Sequence, residues 1–178
     1  IFATNTEWAA LTPDDQIGAA ALRTLGFEVT PGVWDQAVDW SNCDAVVMRS
    51  PWNYYLEIDA FTAWLDRLQR DGVRTINPLA TLRWNIHKFY LRELERAGVP
   101  LIPTAFVPRG AVDSLAALLA RHGWDDAVVK PAISAGASAT WRVAAPVAPA
   151  DEARFREAVA GRDLLVQQFD VAAERRRV

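Results

Sequence analysis

Ala127-Val128-Val129-Lys130-Pro131-Ala132-Ile133-Ser134-Ala135-Gly136-Ala137-Ser138-Ala139-Thr140 is the stretch that decides how the chain is read. A short apolar strand ends on a lysine and opens into a loop of small and hydroxyl residues. Such a strand delivers one fixed cation beside a turn whose backbone N–H groups are free to approach an oxyanion, which suits a polyphosphate. The spacing is not that of a Walker A loop, because no Gly-Lys-Ser/Thr follows the glycine. It is not a dinucleotide fingerprint either, because no Gly-x-Gly-x-x-Gly opens a helix here. Taken alone, the stretch fits a solvated turn after an edge strand equally well.

On both sides of it, helix and strand signals alternate. Thr12-Pro13-Asp14-Asp15 supplies an N-cap, a proline at the first helical position and carboxylates in the first turn of a helix closed by Gly26. Phe61, Trp64, Leu65 and Leu68 recur at helical spacing before Gly72. From Trp84 to Ala97 the residues Ile86, Tyr90, Leu94 and Ala97 predict one continuous helix, stopped by Gly98 and Pro100. Lys88 then points away from that stripe and reads, on position alone, as an ordinary solvated lysine. A further stripe runs from Val112 through Leu115, Leu118, Leu119 and His122 to Gly123, and a last helix over 151–160 turns Phe155 and Val159 inward.

Between the helices lie apolar runs at 27–29, 45–48, 73–76, 104–107, 127–129 and 164–166. Their alternation with helices predicts an α/β fold. Up to Asn77-Pro78 the order is β-α-β-β-α-β, which suits a small, mostly parallel sheet. Beyond it the order becomes α-α-β-α-β-β-α-β. The boundary is therefore placed there, giving domains 1–78 and 79–178.

Half of the 178 residues are apolar (51%) and 23% are charged, with a net charge of −3, so a sizeable core is expected and wholesale disorder is not. No basic face points to nucleic acid; Arg175-Arg176-Arg177 reads as a solvated terminus. No apolar run is long enough to span a bilayer, and a cytoplasmic setting is the default expectation. Cys43 is the single cysteine and reads as a small buried hydrophobe. With two histidines in the chain, His87 and His122, no zinc site is expected. The chain begins without methionine, inside the strand-like Ile1-Phe2-Ala3, and reads as a fragment.

Arg49-Ser50-Pro51-Trp52-Asn53-Tyr54-Tyr55 follows directly on the apolar run 45–48. Ligands of open α/β sheets bind outside the carboxyl ends of strands, which makes Arg49 and the aromatics from Trp52 to Tyr55 a candidate substrate rim. Packing of the aromatics over the sheet edge, with Arg49 paired to a carboxylate, explains the same residues as well. Gln167 and Gln168 turn the run Leu164-Leu165-Val166 polar at its end, where free backbone groups can read the edge of an adenine and Phe169 can cover its ring.

The ordered set resembles a known superfamily. Asn85-Ile86-His87-Lys88-Phe89-Tyr90-Leu91, then Ala97-Gly98-Val99-Pro100-Leu101-Ile102-Pro103-Thr104, Val128-Val129-Lys130-Pro131, the loop Ser134 to Ser138 and Leu165-Val166-Gln167-Gln168-Phe169 are similar to the ATP-grasp ligases. The nearest branch is that of ribosomal-protein modification, glutathione synthesis and cycloserine biosynthesis. The half containing Ala45 to Trp52 and Asn77-Pro78 looks like that branch's Rossmann-like pre-ATP-grasp domain, followed here by the first, truncated part of an ATP-grasp domain.

The resemblance implies that Lys88 and Lys130 contact the nucleotide phosphates and that the loop Ser134, Ala135, Gly136, Ala137 and Ser138 closes over them. It implies that Gln167, Gln168 and Phe169 form the adenine side and that Glu174 approaches the ribose. The implied reaction activates a small-molecule carboxylate with ATP as an acyl phosphate, which an amine or similar nucleophile then attacks. The implied magnesium ligands lie beyond the end of this sequence, so the chain by itself is expected not to complete catalysis and to bind nucleotide weakly. An unfinished sheet edge is expected to favour self-association. The alternatives are a nucleotide-binding or regulatory module without a metal site, and a plain α/β domain whose Lys130 loop is only a turn.

Overall fold

The computed structural model describes residues 1–169, and Glu174 lies outside them. The chain divides into two compact units, Ile1–Ile86 and one that starts at His87.

The first unit is built on four parallel strands in the order β2-β1-β3-β4: β1 (Phe2–Thr4), β2 (Pro31–Val33), β3 (Val46–Ser50) and β4 (Thr75–Ile76). Alternation along β1 sends Phe2 to one face and Ala3 to the other. On Phe2's face lie Leu11, Val29 and Ala19, the last from α1 (Pro13–Thr24). On Ala3's face, α2 (Ile58–Arg70) contributes Phe61, Trp64, Leu65 and Leu68. Trp34 meets Phe61 edge-on at 5.1 Å, and Trp40 meets Trp64 at 5.1 Å. The Thr12 Oγ1 accepts from Asp15 N–H at 3.1 Å, the cap expected from Thr-Pro-Asp-Asp.

One strand is displaced from its expected place. The run 27–29 forms no strand, Phe27 is exposed, and the edge strand is Pro31–Val33. An edge position tolerates a proline at the strand's first residue. Gly32 is required there by contact, since a Cβ would lie 2.7 Å from side-chain atoms of both Ile1 and Trp40.

The second unit is an antiparallel sheet in the order β5-β8-β6-β7: β5 (Thr104–Val107), β6 (Asp126–Pro131), β7 (Trp141–Ala144) and β8 (Leu164–Gln168). One face is covered by α5 (Leu115–His122) and α6 (Pro149–Gly161), which bury Leu115, Leu118, Leu119, Phe155 and Val159 against Val129, Val143, Leu164 and Val166. Each fully buried leucine contributes roughly 2 kcal/mol through area removed from water. α5 begins at Leu115 and not near Val112, because the Ser114 Oγ caps Ala117 N–H at 3.1 Å and Val112 stays exposed.

The continuous helix expected from Trp84 to Ala97 is broken. α3 (Leu79–Ile86) stops, His87 is extended (φ −104, ψ 114), Lys88–Tyr90 form a single 3₁₀ turn, and α4 (Leu91–Arg96) follows. A tertiary bond competes with the helix: Lys88 N–H donates to Ala132 O at 2.9 Å. The angular argument that placed Lys88 on a solvated helix face fails with it.

Candidate functional site

Phe106, Leu165 and Lys130 stand side by side on the face of the second sheet opposite α5 and α6, and Thr104, Gln167, Val128 and Arg142 form the next row. Part of that face is roofed by the segment after His87. Phe89 packs edge-on against Phe106 at 5.3 Å, and the Arg92 guanidinium lies 4.6 Å from both rings. The same segment brings in Lys88.

Lys88 and Lys130 therefore come from separate stretches to one place, both half-buried. The Lys88 Nζ donates to Ser134 O at 2.5 Å and to Ser134 Oγ at 3.0 Å, while Ser134 Oγ–H donates to Pro131 O at 3.1 Å. Burial, with the nearby Lys130 charge, lowers the Lys88 pKa from 10.5 to about 8. Burial alone lowers that of Lys130. Lys130 has no hydrogen-bonding or ionic partner among the described residues. Two cations kept out of water without a carboxylate between them form a site of strong positive potential, which fits an anion with several charges.

The loop after β6 behaves as its composition suggests. Gly136, Ala137 and Ala139 all adopt positive φ (57°, 59° and 52°). For the two alanines this conformation costs roughly 1 kcal/mol each. Ser138 N–H donates to Ala135 O at 3.0 Å and Thr140 N–H to Ala137 O at 3.1 Å, so the loop is a pair of successive tight turns.

A ring of hydrogen bonds holds these parts. Asp163 O accepts from Ala132 N–H at 2.9 Å, Ala132 O accepts from Lys88 N–H at 2.9 Å, and the neighbouring His87 Nε2 meets Asp163 Oδ2 at 2.9 Å. Asp163 Oδ1 accepts in addition from Arg109 N–H at 2.6 Å. The His87 Nδ1 accepts from Phe89 N–H at 3.3 Å, so the proton of a neutral ring sits on Nε2, facing Asp163.

Gln167 and Gln168 sit at the end of β8 as expected, with their hydrogen bonds partly committed. Gln167 Nε2 donates to Thr104 Oγ1 at 2.8 Å, Gln168 N–H to Pro103 O at 3.0 Å and Phe169 N–H to Asp126 O at 3.0 Å. The Phe169 ring is covered by the Arg142 guanidinium at 3.8 Å, and Arg142 grips Asp126 through two bonds of 3.0 and 3.1 Å.

Arg49 lies in the first unit, at the carboxyl end of β3. Its Nε donates to Asp15 Oδ1 at 2.6 Å, and Ser50 Oγ–H donates to Asp15 Oδ2. Burial pushes the Asp15 carboxyl up, but the bonds from Ser50 and Arg49 outweigh it and leave the group below its ordinary value. The carboxylate partner of Arg49 is thus Asp15 at 2% exposure, and it leaves the terminal guanidinium nitrogens outside that bond.

Sequence reading missed two features. His87 and Asp163 carry no motif, and their pairing arises only from folding. The other was legible: of nineteen basic residues, seventeen are arginine, and the two lysines are the pair that meets here.

Known proteins bear on these features. Residues 1–77 match the family described as the D-cycloserine synthetase DcsG N-terminal domain. The cycloserine biosynthesis protein DcsG of Streptomyces lavendulae is 41% identical over 116 residues, covering 62% of this chain and 38% of that protein. The crystal structure of D-cycloserine synthetase DcsG superposes with a TM-score of 0.83 at 31% identity, over 94% of this chain and 58% of that one. A RimK domain ATP-grasp protein from Sphaerobacter thermophilus shares the fold (TM-score 0.64, 18% identity, 95% of this chain and 64% of that one). The chain thus spans less than two thirds of each of these relatives. Its first 77 residues match the DcsG N-terminal domain family, and over nearly its whole length the chain shares the fold of solved ATP-grasp proteins, aligning with only part of their length.

Proposed function

We propose that this chain is the ATP-binding portion of a ligase that activates a small-molecule carboxylate with ATP as an acyl phosphate and passes the acyl group to an amine or similar nucleophile. The observation that carries the reading is the meeting of the chain's two lysines, half-buried and without a carboxylate partner among the described residues, beside the Ser134–Ser138 loop. In that role Lys88 and Lys130 bind the phosphates and hold charge against the transferring phosphoryl group, and the loop of Ser134, Ala135, Gly136, Ala137 and Ser138 shields it. Gln167, Gln168 and Phe169 bound the adenine side, with Glu174, outside the described residues, assigned to the ribose by the resemblance to ATP-grasp ligases. Arg49, braced by Asp15, is the group assigned to the substrate rim of the first unit. Similarity to cycloserine synthetase supports a ligase of this class.

Magnesium, when bound, would supply positive charge against the phosphate oxygens. No three His, Cys, Asp or Glu side chains converge to hold a metal ion among the described residues, so no step is assigned to it here. Among those residues no helix is long and apolar enough to cross a membrane.

The test is a thermal-shift titration with ADP and magnesium on the chain and on Lys130→Ala. A ligand bound only by the folded state stabilises by roughly 2.7 kcal/mol at a hundredfold excess over Kd. A dose-dependent rise that the variant loses is expected. Equal shifts in both proteins would remove Lys130 from the nucleotide site.

A further inference from the structure

We propose that Lys88 is a self-modification site: an acyl phosphate whose phosphate group sits at Lys130 and the Ser134 loop transfers its acyl group to the Lys88 Nζ. The proposal rests on reading the lysine pair as a phosphate site, and it goes beyond that reading by making one of the two lysines a nucleophile.

Three observations place a reactive amine at this point. Ser134 offers Lys88 two acceptors, its carbonyl and its Oγ, and the Oγ–H is already spent on Pro131 O. An uncharged amine has two N–H groups to satisfy those acceptors, and its lone pair is then left over. No carboxylate among the described residues pairs with Lys88 to hold it protonated, since the nearby Asp163 is engaged by His87 and by Arg109 N–H. Burial and the neighbouring Lys130 cation hold the Lys88 pKa at about 8. A lysine desolvated beside another cation is the usual way a protein makes an amine nucleophilic near neutral pH. Lys130, with no partner of its own among the described residues, keeps its charge for the phosphate.

The step balances without a further reactant. The Nζ lone pair attacks the acyl carbon, the bond from that carbon to the phosphate oxygen breaks, and inorganic phosphate leaves. The proton lost from nitrogen goes to phosphate or solvent, an amide remains, and nothing is oxidised or reduced. The product has no charge at position 88, so acylation removes one of the two cations on which phosphate binding depends. A ligase that makes acyl phosphates at this place would then be shut down by its own intermediate when the second substrate is scarce.

The chain has three primary amines, Lys88, Lys130 and the N-terminal amine of Ile1, so each serves as reference for the others. The chain is incubated with acetyl phosphate and, separately, with acetyl N-hydroxysuccinimide ester, and acetylation is mapped by mass spectrometry. With acetyl phosphate, Lys88 is expected to react about tenfold faster than Ile1, the advantage coming from docking of the phosphate. That preference should fall to near parity when inorganic phosphate or ADP competes. With the ester, which has no phosphate, Lys88 should still outpace Lys130 when phosphate is absent. Equal labelling of the three amines by both reagents would overturn the proposal. Selective labelling by the ester but not by acetyl phosphate would overturn it too, and would count against the phosphate site. ADP binding without selective acylation would overturn the proposal while leaving the nucleotide reading intact.

Discussion

His87 and Asp163, 76 residues apart in the chain, meet through Nε2 and Oδ2 at 2.9 Å and close the ring of bonds that fixes the backbone of Lys88. Opening that ring should loosen the lysine as well as the fold. We expect His87→Ala to cost ~1–2 kcal/mol, a fall in Tm of roughly 5–10 °C, and to weaken ADP binding. His87→Gln keeps an N–H donor within reach of Asp163 and should recover most of both losses. Equal ADP affinity in wild type and His87→Ala, measured by calorimetry, would reduce the ring to a structural role.

The Lys88 charge makes stability rise with pH in a definite window. Its pKa of about 8 in the folded protein lies below the ordinary 10.5, so between these values the unfolded chain holds a proton that the folded chain has given up. Stability therefore increases from pH 8 to 10.5. Partial exposure keeps the gain well under the ~3 kcal/mol that the full shift represents. Urea titrations at pH 7, 8, 9 and 10 should show a steeper rise in wild type than in Lys88→Met, which keeps only the part due to Lys130; parallel curves would contradict the assignment. Because phosphates favour the charged amine, ADP binding at pH 8–9 should take up protons, visible as a heat that changes with the buffer.

Asp15 acts in the opposite sense. Its folded pKa lies below 3.8, so its contribution is present above that value and is lost as pH falls through the lower, folded value. Asp15→Asn should flatten this acid limb and cost about 2–3 kcal/mol at pH 7, since it removes the buried charge and leaves one acceptor oxygen where Arg49 and Ser50 each use one. Acid unfolding followed by tryptophan fluorescence reads both effects.

Two tryptophans of one cluster should respond differently to the same substitution. Trp34 Nε1–H donates to Asn53 Oδ1 at 2.6 Å, whereas the buried Trp64 Nε1–H has no acceptor among the described residues. Trp34→Phe loses a bond as well as volume, while Trp64→Phe removes an unsatisfied donor that itself costs about 1–3 kcal/mol. We expect Trp34→Phe to be the more destabilising by at least ~1 kcal/mol in urea unfolding. The reverse order would show that packing volume outweighs the polar atoms.

Much of the fold was legible because its signals are local. The cap at Thr12, the apolar spacing of α2 and the α/β order on both sides of Asn77-Pro78 all appear as expected. The errors fall where a distant contact overrides a local preference. The apolar run 27–29 reads as a strand, yet the edge strand forms at Pro31–Val33, where Gly32 lets Ile1 and Trp40 approach. Trp84 to Ala97 reads as one helix, yet the Ala132 carbonyl claims the N–H of Lys88 and splits it.

The same division runs through the site. Sequence by itself determined the residue types: a strand-borne Lys130, a loop of small residues after it, and a chain in which lysine is kept for two positions and arginine used everywhere else. Local chemistry is enough for that, because it is written in composition and short-range spacing. Only the tertiary structure decided that Lys88 leaves its helix, turns toward Ser134 and comes to lie beside Lys130. It also decided that Asp163 holds His87 while Arg49 leans on Asp15. Those outcomes depend on burial and on which polar groups find partners across long stretches of chain. Desolvation, which lowers both lysine pKa values, and the nearby Lys130 charge, which adds to the shift at Lys88, exist only once the chain has folded.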